Sequence, residues 1–268
     1  LQAPEIDTIC SPYNYYKRER AISLGMPLES IKAHNKLFLA EMDLPTQLAN
    51  PEKYHGTAGD SFTYASAEAQ TITLNRRDFG RVLTWGIGGY WYDFAHNWYD
   101  FDAFRTFATY ADKISRTACT TDLSSVAQVA VLLDENSVFS LSLHSQSWAV
   151  ELRETLGYSI DCAGAPVDFW LTTDLEHVLK RNYKVIIFAN YLVPTPAVDQ
   201  QIRDYPGAVV FLSPESHRER SSEKRYYRPV NISSSNIRSI LHENGVHLYT
   251  QSDNMQIYIN ASWLGVWR

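Results

Sequence analysis

Apolar and polar positions fall into short blocks along this chain, and their rhythm changes near residue 120. Residues 6–13 and 36–40 (KLFLA) are apolar runs that stop at polar groups, Ser11-Pro12 in the first and Glu41-Met42-Asp43 in the second. Two strands are predicted there. Residues 44–67 carry Pro45, Pro51, Gly56 and Gly59 and read as a long loop of the kind that often serves function. Ala69, Ile72, Phe79, Val82 and Leu83 lie near helical spacing behind a start at Ser66 and Glu68. A glycine-rich strand over 86–94 (GIGGYWYDF) and an amphipathic helix over 102–115 follow.

Small polar residues over 117–125 mark a linker. Beyond it come the near-continuous apolar runs 129–134, 166–171, 184–189 and 208–212, with helical patterns between them, including 145–158 and 196–205. Strands of that kind alternating with helices predict a parallel sheet buried on both faces, a doubly wound three-layer unit. Residues 236–249 read as one more helix and a Gly245 turn, and 255–267 as alternating strands that stop without a closing element. There is no internal repeat.

The composition belongs to an ordinary globular chain: 268 residues, 45% apolar, 20% charged. Lys and Arg number 24 against 30 Asp and Glu, a formal charge of −6 that disfavours nucleic acid or an anionic membrane as partner. No apolar run reaches the ~18–20 residues of a membrane helix, and no secretory leader pattern opens the chain. Cys10, Cys119 and Cys162 form neither a CxxC pair nor an even disulfide set, and read as reduced thiols. HExxH and HxH spacings are missing, so no metal site is expected. The Gly86, Gly88, Gly89 cluster lacks dinucleotide-loop spacing and suits close backbone packing instead.

In α/β proteins ligands bind beyond the carboxyl ends of the parallel strands. In the first part those ends carry working groups: Tyr13 and Tyr15 after the first strand, Glu41 and Asp43 after the second, Trp91 and Asp93 at the third, with His34 just upstream of the second. A carboxylate next to a buried strand is costly unless hydrogen-bonded, and one set among Tyr and Trp suits nucleophilic or acid/base work at a sugar centre. The plainer account has Glu41 capping a loop or pairing with an arginine such as Arg76. The later strand ends offer Asp134, Glu135, Asn190 and Ser213, a thinner set.

The stretches SPYNYYKRE, SIKAHNKLFLAEMDLPTQL, RRDFGRVLTWGIGGYWYDF and NWYDFDAF resemble the later strands of clan A glycoside hydrolases, in particular the β-galactosidase group of glycoside hydrolase family 42. VAQVAVLLDENS, YKVIIFANYLVPT, GAVVFLSPES and ILHENGVHLYTQSDNMQIYINASWLGV resemble, in order, the flavodoxin-like trimerisation domain that follows the barrel there. The resemblance implies the last strands of a (β/α)8 TIM barrel over 1–118, then a flavodoxin-like domain over 119–268 that ends early, the whole being a fragment of a longer enzyme. It implies a retaining β-glycosidase with Glu41 as nucleophile and a sugar site shaped by Tyr13, Tyr15, His34, Asp43, Trp91 and Asp93. It also implies a carbohydrate substrate, no cofactor, and a homo-oligomer, with a trimer the family's pattern. The family's acid/base lies at an Asn-Glu strand end that this sequence lacks, so no residue takes that role, and the isolated chain is expected to associate and to show no turnover. Met42-Asp43-Leu44-Pro45 departs from the family's Gln-Gln-Pro-Gly type stretch after the nucleophile. Non-catalytic carbohydrate binding or assembly is the rival reading, and a small-molecule sensor built on the α/β unit is a third.

Overall fold

A computed structural model describes residues 1–12, 26–49, 65–93, 97–139, 156–212, 226–227 and 233–267. Tyr13, Tyr15, Ser213 and most of the helix expected over 145–158 lie outside the described residues.

The first part is built from β1 (Thr8–Pro12), α1 (Leu28–Ala33), β2 (Leu37–Met42), α2 (Glu68–Trp85), β3 (Gly88–Trp91) and α3 (Asp102–Ala118). Its strands pair in parallel in the order β1-β2-β3. Strand alternation sends Phe38, Ala40 and Met42 into a core with Leu28 and Ile31 of α1 and Val82 of α2. Leu37, Leu39 and Glu41 therefore take the other face, where Leu37 is 66% exposed. Glu41 belongs to β2 itself, one residue from its end, because the buried Met42 carries the apolar alternation past it. A side chain at Gly89 would crowd α2, since an added Cβ would lie 3.0 Å from Val82 Cγ2 and 3.1 Å from Met42 Cε. That bareness lets α2 close onto β3. Gly86, at φ 61°, ends α2 in the left-handed conformation that glycine adopts without cost.

The second part contains β4 (Val129–Leu133), α4 (Glu135–Phe139), α5 (Gly157–Asp161), β5 (Asp168–Leu171), α6 (Leu175–Lys180), β6 (Val185–Phe188), α7 (Pro196–Arg203), β7 (Ala208–Phe211), β8 (Tyr226–Tyr227) and α8 (Ser234–Glu243). Its parallel sheet has the order β5-β4-β6-β7-β8. Every residue of β5 and β6 is buried, since both faces are covered. One face packs Val129, Val131 and Ile187 against Ile160 of α5 and Ile237 of α8. The other packs Leu132, Ile186 and Phe188 against Val178 of α6 and Ile202 of α7. This is the doubly wound arrangement of the apolar runs.

Two joints connect the parts. Helix α1, which the apolar pattern did not predict, is too short to show a period, and it ends where Asn35 turns left-handed at φ 56°. It covers the outer edge of β5: the Leu171 amide donates to Ser30 Oγ at 2.8 Å. That hydroxyl satisfies an edge amide that would otherwise be an open pairing site. The second joint is β9 (Gln256–Ile259) and β10 (Leu264–Trp267), which form their own antiparallel hairpin instead of extending the larger sheet. The hairpin packs on α2: Tyr258 meets Trp85 edge to face, and Asn260 Nδ2 donates to the Leu83 carbonyl at 3.0 Å. The division at 118/119 thus separates the two parallel sheets but leaves the hairpin on the helix of the first part. No helix among the described residues is long and apolar enough to cross a membrane.

Candidate active site

The register places Pro12, Glu41 and Tyr90 in one row across the three strands. Cys10, Leu39 and Gly88 form the row two residues earlier on the same face. The Tyr90 hydroxyl donates to Oε2 of Glu41 in a short bond. Cys10 Sγ lies 3.1 Å from the same hydroxyl. Either group can be the donor of that contact. The bond to Cys10, and then that to Glu41, hold the Tyr90 phenol above its ordinary ionisation range. Tyr90 therefore stays protonated and keeps donating to the carboxylate at neutral pH.

The loops above this row are tied together. The Tyr99 hydroxyl reaches the carbonyls of Met42 and Leu44, at 3.0 and 3.2 Å, fixing the backbone on both sides of Asp43. Thr46 Oγ1 donates to the Trp98 carbonyl at 2.5 Å, and the Trp98 amide donates to Asp93 Oδ2 at 3.1 Å. Asp43 itself is 2% exposed. Asp43 and Asp93 thus stand in the loops at the Glu41 end, with Asp93 shaping its own turn.

Two expected site residues lie elsewhere. Trp91 shares a face with Met42, not with Glu41, and its ring sits among Phe79, Phe104 and Phe107 on the helix side while Nε1 donates to Asn75 Oδ1 at 2.8 Å. His34 stands at the opposite end of β2, where four residues at ~3.3 Å give about 13 Å between Leu37 and Glu41 alone. Its Nε2 is 2.9 Å from Asp174 Oδ1 of the second part. The aromatic group beside Glu41 is Tyr90, which was not among the expected site residues. Counting alternation back from Trp91 would have found it once the β2–β3 register was known. The aromatic cluster is thus mainly core, with Tyr90 its member on the sheet's open face.

Among the described residues, polar groups bridge the carboxyl ends of β4 and β6, where the second sheet's own crevice would lie. Asn190 accepts from the Asp134 amide at 2.7 Å and donates back to the Asp134 carbonyl at 2.9 Å. Ser137 donates its hydroxyl and amide to Asp134 Oδ2 and accepts the amides of Leu192 and Val193. These groups hold the two strand ends to each other. A cavity of about 40 Å³ between the parts, near Trp85, Asp161 and Tyr258, has room for water but not for a sugar. Among the described residues no cluster of His, Cys, Asp and Glu could hold a metal ion.

The architecture defines an α/β protein in which parallel strands alternate with helices, with a carboxylate on the open face of one sheet. It resembles part of a β-galactosidase: the chain superimposes on the β-galactosidase from the psychrophilic Marinomonas ef1 with a TM-score of 0.54, over 89% of this chain and 60% of that one. Identity is 9%, so the likeness is one of fold. The chain spans about 60% of that enzyme's length. No protein-family model and no curated protein matches the sequence.

Proposed function

We infer that this chain is the nucleophile-bearing part of a retaining glycoside hydrolase acting on a β-linked glycoside, with Glu41 attacking the anomeric carbon. The observation that carries the reading is Glu41 itself: a carboxylate near the carboxyl end of the middle parallel strand, on the open face, oriented by the Tyr90 hydroxyl. The fold likeness to a β-galactosidase supports it. In such chemistry the carboxylate forms a glycosyl ester as the leaving oxygen takes a proton from a second carboxylic acid roughly 5–5.5 Å away, and that group then activates water. No residue of this chain is assigned to the second role.

In this reading residues 1–118 belong to a TIM-barrel catalytic domain, with Asp43 and Asp93 shaping the rim of the sugar site. The second sheet is an assembly module, and trimers are the expected state. A 2-deoxy-2-fluoro β-galactoside should esterify Glu41 in a longer protein that carries this chain, located by peptide mass spectrometry. Label on another carboxylate would overturn the assignment. Sugar retention without any turnover would favour the rival binding-module reading.

A further inference from the structure

The joint between α1 and the second sheet buries two carboxyl groups around one arginine. Glu29 of α1 is 6% exposed and Asp168, the first residue of β5, is 7% exposed. Arg181 Nη1 lies 2.9 Å from Glu29 Oε2 and 3.5 Å from Asp168 Oδ2. Lys32 Nζ pairs with Glu29 Oε1 at 2.6 Å. Tyr183 donates to Asp168 Oδ2 at 2.5 Å and Ser125 to Oδ1 at 2.6 Å. The Arg181 guanidinium also lies over the Trp170 ring, 5.1 Å from its centroid, and His177 stacks on the same indole. Asp161 of α5 lines the adjoining cavity, 3.6 Å from Arg81 Nη2. On the remaining side the β4 partner of Asp168 is Ala130, which brings no charge.

We propose that Glu29, Arg181 and Asp168 form an acid-strengthened clamp between the two parallel sheets: once Asp168 takes up a proton, Arg181 is left to Glu29 alone and the joint tightens. The geometry gives the direction. With both carboxylates ionised, Glu29 is paired with Lys32 and Arg181 while Asp168 holds the longer contact to Arg181, so two buried negative charges compete for that guanidinium across the joint. A neutral Asp168 ends their repulsion; one of its oxygens still accepts from Ser125 or Tyr183 while its new O–H donates to the other hydroxyl. Separating α1 from β5 would return both acids to water, so the proton and the closed joint favour each other. Burial, then the charge on Glu29, pushes Asp168 up to about 6, against the Ser125, Tyr183 and Arg181 interactions that pull it down. Between its ordinary 3.8 and about 6, the closed form holds more protons than an opened one. Stability from this group is full below that window and is lost as pH rises through about 6.

Native-state hydrogen exchange on a longer protein that carries this chain tests the clamp, with the Leu171 amide as reporter because it donates to Ser30 across the joint. After correction for intrinsic exchange, its protection should rise about tenfold from pH 7.5 to pH 5. Asp168→Asn, which keeps an acceptor without the charge, should be flat across that range. A parent and an Asn variant that change in parallel would overturn the clamp. Glu29→Gln is the second arm, needed if the Asn variant does not fold. It should shift the rise in protection to lower pH, and an unshifted rise would equally overturn the idea. Neither arm depends on hydrolase activity.

Discussion

The Tyr90 hydroxyl donates to Glu41 from the directly opposed position on the neighbouring parallel strand. A hydrogen bond to a charged group is worth about 1.5–3 kcal/mol. In a protein active on an aryl β-galactoside, Tyr90→Phe should lower kcat roughly tenfold to hundredfold with KM little changed. Glu41→Gln should abolish turnover. Steady-state kinetics of both variants is the check, and unimpaired Tyr90→Phe would show that the phenol plays no part in placing the carboxylate.

Arg81 is buried where three elements meet. Its guanidinium lies over Trp85 and Tyr258, with Asp78 and Asp161 at 4.0 and 3.6 Å. Removing one member of a buried ion cluster strands the others, at a cost of about 3–5 kcal/mol. Arg81→Met should lose stability of that order in urea unfolding, and Arg81→Met with Asp161→Leu should recover part of it.

Two glycines should respond differently to one added methyl. A Cβ on Gly207 would lie 2.7 Å from the Tyr183 carbonyl and 2.8 Å from the Lys184 carbonyl, both backbone atoms just before β6. One on Gly88 meets chiefly the end of the half-buried Leu39 side chain, which can swing away. Gly207→Ala should therefore cost about 1–3 kcal/mol. Gly88→Ala should stay within about 1 kcal/mol of the parent. Thermal unfolding of the pair decides.

Thiol reactivity should sort the cysteines. Cys10 and Cys119 are exposed, while burial pushes the Cys162 thiol up to about 11. Because the thiolate is the reacting species, at pH 8 the folded chain should react quickly with a disulfide reagent at Cys10 and Cys119. Cys162 should react only after denaturation. Fast reaction of all three in the native state would contradict this packing.

The sheet strands other than the two-residue β8 were legible because apolar runs bounded by polar or turn groups leave few alternatives to buried parallel strands. Helices α2 and α3 were legible because they are long enough to repeat their pattern. Helix α1 was not: its six residues LESIKA include the inward-facing Glu29 and Ser30, which are polar for the sake of Arg181 and Leu171 in a distant part of the chain. The same long-range pairing drew His34 to Asp174. At the candidate site Glu41 announced itself as a charge among apolar neighbours, whereas the choice between Tyr90 and Trp91 depended on a register that one sequence does not encode locally.

The hairpin on α2 has a consequence for anyone dividing this chain. Trp267 packs beside Leu44 and Leu74, and Trp263 Nε1 donates to Thr121 Oγ1 at 3.1 Å, so the final strands are the outer wall of the opening segment. Splitting the gene between the two sheets would strip that wall from α2 and bare its apolar flank. The halves would have to be co-expressed and left to find each other, or the last dozen residues grafted onto the first piece.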